Sequence, residues 1–233
     1  MPMFRLALVL TLLVPGAAVA ETVVHMPPVG FRYTTQSDVD FTSPSGTNSK
    51  THLVLHREVV ASDGTTIRTR NEGTNGGAGH EFPVSGTTTY RLFLLTDNDS
   101  TARPVPDQPP VTLRSTWDCP ADGLDQFYPR GTAAQVSLAC TFTGKLANGQ
   151  VIAPQPLTVS FSDLGQARAT TPAGTFDVRK IVVRYGGAAG VTNEITYEFA
   201  PALGISVVQE TKVSTPHSEM VAHSEVSDFT PPR

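Results

Sequence analysis

This chain predicts an all-β protein: a large, strongly curved antiparallel sheet, arranged as a half-barrel or sandwich. Three observations carry that expectation. Apolar and polar residues alternate with period two in several segments, as in strands with one face on a core and one in water. Nineteen Gly and nineteen Pro punctuate the sequence, and turn signals recur roughly every 8–15 residues. No window carries the i, i+3, i+4, i+7 apolar stripe of an amphipathic helix.

Residues 1–20 stand apart. Arg5 precedes an apolar run from Leu6 to Val14, and Ala18-Val19-Ala20 supplies small residues two apart. A charged start, a short apolar segment and an A-x-A site read as a secretory signal peptide. The run is too short to span a bilayer. Cleavage after Ala20 would leave a mature chain beginning at Glu21, located in the periplasm or outside the cell. Glu21 is not Cys, so no lipid-attachment site follows, and no later stretch is apolar enough for a membrane helix.

The first predicted strand spans 31–41. Phe31, Tyr33, Val39 and Phe41 share one parity, and Arg32, Gln36, Asp38 and Asp40 the other. Strands at 51–60 and 65–70 flank Asp63-Gly64, a pair suited to the positive φ of hairpin turns. Residues 71–80 are Gly-rich and read as a loop. The run Tyr90 to Leu95 is apolar on both parities and reads as a strand covered on both faces. Residues 97–110 hold Asp97, Asp99, Pro104, Pro106, Pro109 and Pro110, and read as an exposed linker. Further strands fall near 111–117, 134–143, 156–162, 176–185, 194–199, 205–213 and 219–229, with an Asn148-Gly149 turn between Phe142 and Ile152. In 194–199, Ile195, Tyr197 and Phe199 alternate with Glu194, Thr196 and Glu198. The total is about eleven strands, enough for a large sheet or barrel-like wrap. The linker separates an N-terminal β half, 21–96, from a C-terminal β half, 111–233. Two separate domains or two halves of one continuous sheet both fit. The second is favoured, because a unit of about 75 residues with few aromatics is marginal alone.

Cys119 and Cys140 are the only cysteines. In an oxidising compartment they read as a disulfide. It would close a loop of about 20 residues and contribute roughly 3 kcal/mol. A redox pair lacks the C-x-x-C spacing, and a zinc site lacks a nearby His. The chain carries 17 Lys and Arg against 21 Asp and Glu, and loss of Arg5 takes its net charge from −4 to −5. A mildly acidic protein without a basic run is poorly suited to nucleic acid or anionic lipid surfaces.

Candidate chemistry is sparse. The Gly-rich 71–80 segment lacks the Lys-Ser/Thr, the G-x-G-x-x-G register and the following helix of a phosphate loop. Asp97-Asn98-Asp99-Ser100-Thr101 places oxygens as calcium loops do, but Ala102 and Gln108 occupy the required Gly and Glu positions. Asn98-Asp99-Ser100 is a formal glycosylation sequon. His52 and His56 share a strand face about 13 Å apart, too far to bind one metal. His217, Glu219, His223 and Glu225 form a His/Glu-rich segment whose types suit a metal but whose spacing does not converge. No G-x-S-x-G, H-E-x-x-H or S-x-x-K with K-T-G motif occurs. No catalytic residue, cofactor site or metal site is therefore assigned. Trp117 and the tyrosines Tyr90, Tyr128, Tyr185 and Tyr197 read as core.

One pair of motifs supports a resemblance. Thr171-Pro172-Ala173-Gly174-Thr175-Phe176-Asp177 precedes the strand Val178 to Arg184. Tyr197-Glu198-Phe199-Ala200-Pro201-Ala202-Leu203-Gly204-Ile205 follows. These strings resemble the "PAGTFD" and "Y-x-Y-A-P-x-x-G" turns of bacterial envelope proteins of the uncharacterised DUF3108-like group. Phe127-Tyr128-Pro129-Arg130-Gly131 is similar to that group's "F-Y-P-L-x-x-G". Each has a structural cause. Pro172 and Gly174 make a tight turn, Phe176 seats the next strand, and Pro201 with Gly204 turns the chain back. The resemblance implies an envelope location. It also implies a curved sheet akin to the half-barrel of periplasmic lipoprotein carriers, which hold acyl chains in a concave face. This chain shows no helical lid segments, and the pattern carries no catalytic residues. The expected function is a non-enzymatic envelope protein binding an apolar ligand or a partner's apolar segment. The alternative is an assembly module acting by protein contacts. A hydrolase or metal enzyme has no motif behind it.

Overall fold

The computed structural model describes residues 24–77, 79–103, 109–120, 123–124, 135–145, 148–186 and 191–230. The expected signal peptide and the Phe127–Gly131 string lie outside them. Twelve strands follow in order: β1 Arg32–Thr42, β2 Asn48–Ser62, β3 Thr66–Gly77, β4 His80–Arg91, β5 Leu94–Ala102 and β6 Val111–Asp118. Then come β7 Gln135–Lys145, β8 Val151–Thr171, β9 Gly174–Gly186, β10 Thr192–Ala200, β11 Ile205–Ser214 and β12 Glu219–Thr230. Each strand pairs antiparallel with the next, and β12 returns to pair with β1, so the curved sheet closes into a barrel. Strands from both sides of the expected linker belong to that one barrel.

Three local expectations are corrected. The run Tyr90–Leu95 is not one strand: Leu92-Phe93 is the β4–β5 turn, folded so that Leu92, Phe93 and Leu94 are all buried. Its apolar parities reflect a turn turned inward. The Gly-rich 71–80 segment is mostly strand, with residues 71–77 inside β3. There a Cβ on Gly73 would sit 1.8 Å from the Val54 carbonyl oxygen, and one on Gly86 of β4 would sit 2.1 Å from that of Asp99. Glycine lets adjacent backbones approach where a barrel wall bends sharply. Residues 97–102 lie in β5 rather than in a linker.

Alternation separates inside from outside. Opposed positions on the outer face carry cross-strand ion pairs: Arg32–Glu58 at 3.3 Å, Lys50–Asp40 at 2.8 Å, Lys180–Glu198 at 3.7 Å and Arg184–Glu194 at 2.6 Å. Each is worth little in energy, but together they favour one register. A lipid-facing barrel would carry an apolar band there. These positions carry charges instead. No helix among the described residues is long and apolar enough to cross a membrane.

Inside, two apolar clusters divide the core. One gathers around Phe93, whose ring lies 5.9 Å from Phe161, 5.9 Å from Tyr197 and 6.0 Å from Phe199. The other closes the end where β1 begins, through Phe31, Val59, Ile67, Val178, Ile205, Val207 and Val226. The N-terminal segment crosses this end: His25 N–H donates to the Pro201 carbonyl at 2.9 Å, and Met26 packs on both clusters. The long β8–β9 hairpin reaches the same end. Its ladder slips between Asp163 and Gln166, where Gly165 takes φ +95° and Asp163 forms a buried ion pair with Arg179.

Cys119 and Cys140 are joined, tying the end of β6 to β7, and the described residues include no free cysteine. Replacing both cysteines by Ala is expected to lower unfolding free energy by roughly 3 kcal/mol, read by urea denaturation. Phe93→Ala is expected to cost about 3–5 kcal/mol, because it empties the centre of the larger cluster. A loss under about 1 kcal/mol would show that the turn does not plug the barrel.

Candidate functional site

Strand parity places a cavity in the part of the barrel that side chains leave open. It has a volume of about 290 Å³ and runs beside β1, β2, β11 and β12. Its floor is Ile67, Leu92, Phe93 and Ile205, and its upper wall is Val39, Leu53, Met220 and Ala222. At the rim Met220 opposes Phe41, which is 39% exposed. Between floor and rim lies a polar belt of Thr35, Ser37, Gln209, Thr211 and Ser224. Across the β1–β12 seam, the Ser224 hydroxyl donates to Ser37 Oγ at 2.7 Å.

Arg57 lies deep in this cavity. On β2 it shares parity with Leu53, which lines the cavity, and with the buried Leu55 and Val59, so the same pleat turns it inward. Its register partner on β1 is Tyr33, 6% exposed. Arg57 Nε donates to Thr35 Oγ1 at 3.2 Å, and Nη1 donates to the Tyr90 hydroxyl at 3.2 Å. Tyr33 lines the cavity beside it. Among the described residues no carboxylate forms an ion pair with it. Glu225 is the one acidic residue along the cavity wall, and it makes no such contact.

The charge states follow from the surroundings. Burial works against the Arg57 cation, but Tyr90 and Tyr33 together outweigh it and raise its pKa, so the guanidinium stays protonated. Burial pushes Tyr33 up to about 12, ahead of the opposing pull of Arg57. Tyr33 is therefore a neutral phenol at physiological pH and does not neutralise Arg57. Burial also raises Tyr185 and Tyr197.

Of the turn-motif residues singled out by sequence, Tyr197 alone lines this cavity. Pro172 lies in the β8–β9 turn, and Gly174 opens β9 with φ +138°. Phe176 packs on Phe229 with ring centroids 6.1 Å apart, and Asp177 meets Arg168 at 3.3 Å on the surface. Tyr197 is buried in the core and touches the cavity. Pro201 and Gly204 form the β10–β11 turn under the floor. A Cβ on Gly204 would sit 2.5 Å from the His25 carbonyl oxygen.

The histidines face outward. His52 contacts Asp38 at 2.8 Å, His56 contacts Thr34 at 3.1 Å, and His223 lies 4.0 Å from Glu210. His217 sits in the β11–β12 turn, its N–H on Thr215 Oγ1 at 3.2 Å, and Glu219 begins β12. Asp97 accepts from the Thr116 hydroxyl at 2.9 Å, while the Asn98 side chain points to Thr88 and Ser100, so β5 sends the oxygens of the expected calcium loop to opposite faces. Among the described residues no three His, Cys, Asp or Glu converge as a metal site. Sequence reading passed over Arg57, although its parity with Leu53, Leu55 and Val59 marked it as an inward cation.

Comparison with known protein families, curated proteins and solved structures finds no match.

Tyr33 generates an alkaline prediction. Its folded value lies above its ordinary 10.0, so its stabilising contribution is complete below pH 10 and is lost as pH climbs towards 12. Urea denaturation between pH 9 and 12 is expected to show a fall to which Tyr33 contributes roughly 2–3 kcal/mol, so that the fall is smaller by about that much in Tyr33→Phe. Equal falls in both proteins would remove Tyr33 as the cause.

Proposed function

We propose that this protein is an exported, non-enzymatic binding protein of the bacterial envelope that holds a small amphipathic ligand inside its barrel. The observation that carries this reading is the internal cavity, with its apolar floor and rim and its polar belt. Such a lining, mostly apolar with a few convergent polar groups, suits small-molecule recognition. A volume of about 290 Å³ has room for on the order of ten heavy atoms, at about the volume of one water each. The charged outer wall supports a location in water. The signal-like N-terminus and the disulfide support export into an oxidising compartment. The resemblance of the Thr171–Asp177 and Tyr197–Ile205 strings supports an envelope role. Closure of the sheet disfavours assembly by strand addition, which needs a free edge.

Native mass spectrometry of the protein purified from its own envelope fraction tests the reading. The expected result is a reproducible small adduct that disappears in Ala222→Trp, a variant that fills the cavity wall, while circular dichroism stays unchanged. A clean unliganded mass, together with no uptake of added octanol, would overturn it.

A further inference from the structure

Arg57 brings a surplus of hydrogen-bond donors into the barrel. A guanidinium has five N–H donors and no acceptor. Thr35 and Tyr90 engage Arg57, which leaves about three N–H groups for another partner. In those contacts each hydroxyl oxygen accepts. The Tyr33 and Tyr90 protons remain available, and among the described residues neither has a protein acceptor. Two phenol O–H groups and a cation therefore converge on the cavity, and Glu225, the acidic residue on its wall, forms no ion pair with the cation. Arg57 is half-buried, and a charge drawn out of water without a counter-ion is costly, which is why such charges are as a rule paired.

We propose that Arg57, Tyr33 and Tyr90 bind the anionic headgroup of a short single-chain amphiphile, a medium-chain monoanion. This inference rests on the cavity being a ligand site. The headgroup meets the guanidinium and the two phenols, and the chain runs towards Val39, Leu53 and Met220 at the rim. The ten-atom capacity matches an eight-carbon chain with a carboxylate. Guanidinium forks suit carboxylate and phosphate alike, so the headgroup is defined as a compact oxyanion.

The test is calorimetric titration of the mature protein with octanoate, octyl phosphate, octanol and octylammonium, which share one chain and differ in the head. At least one of the two anions is expected to bind about tenfold or more tightly than octanol, with octylammonium weakest. The ratio between octanoate and octyl phosphate identifies the oxyanion. Arg57→Met is expected to collapse the anion-to-octanol ratio towards one. The Tyr33→Phe/Tyr90→Phe double variant retains the cation and is expected to reduce the ratio by about threefold or more. If Arg57→Met fails to fold, the four ligands on the unaltered protein and the double variant still decide. Octanol binding as tightly as both anions would overturn the headgroup assignment while leaving the cavity reading intact. Binding of none of the four would overturn both.

Discussion

Closure of the sheet is the constraint on which the rest of this structure depends. Pairing of β12 with β1 removes every sheet edge, and with it the main route by which sheets associate wrongly. It also fixes a circumference. About eight strands enclose a space that side chains alone can fill. Twelve enclose more, and two devices occupy part of the excess. The β4–β5 turn folds inward and lodges Phe93 among Phe161, Tyr197 and Phe199. The N-terminal segment and the β8–β9 hairpin pack across the end where β1 begins. What remains is the cavity beside β1, β2, β11 and β12. The site is thus the remainder of a packing problem.

The interior is correspondingly asymmetric. Strands β7 to β10 contribute Leu138, Val159, Phe161, Ile181 and Tyr197, all buried against the plug. Strands β1, β11 and β12 contribute Ser37, Gln209, Thr211 and Ser224 to the opposite wall. A buried Thr and Asn network bridges the halves along β3 and β4: Asn71 Nδ2 donates to Thr88 Oγ1 at 2.6 Å, and Thr69 Oγ1 donates to Asn71 Oδ1 at 3.0 Å. Satisfied polar groups of this kind hold a wall in place without filling the space in front of it.

Most of the strands were legible because alternation is a local signal. The parities of 31–41 and 194–199 match β1 and β10. The errors arose where tertiary context overrode local chemistry. Leu92 holds a left-handed φ of 56° without the Gly or Asn that normally marks such a turn. Its N–H donates to the Thr65 carbonyl at 2.8 Å, and an apolar turn of this kind is indistinguishable from a buried strand by composition. By composition Gly73 reads as loop, because glycine marks turns, whereas in the barrel it allows one backbone to touch another. Barrel closure itself left no sequence signal, since β1 and β12 lie at opposite ends of the chain. The cavity was hidden for the same reason. Arg57 was visible by parity, but only the three-dimensional register places Tyr33 and Tyr90 against it.

The β1–β12 seam also orders events during biogenesis. Ser37 and Ser224, joined across it, are 187 residues apart in sequence. Closing so long a loop is entropically costly and slow relative to the neighbouring hairpins. A chain still being made can zip from β1 through β11 as a meander, but both margins stay open until its last strand emerges. The final ladder therefore works as a latch. Before it engages, the chain is an open sheet with two unpaired margins. Afterwards the tube has no strand end from which to peel except the two that meet at Ser37 and Ser224.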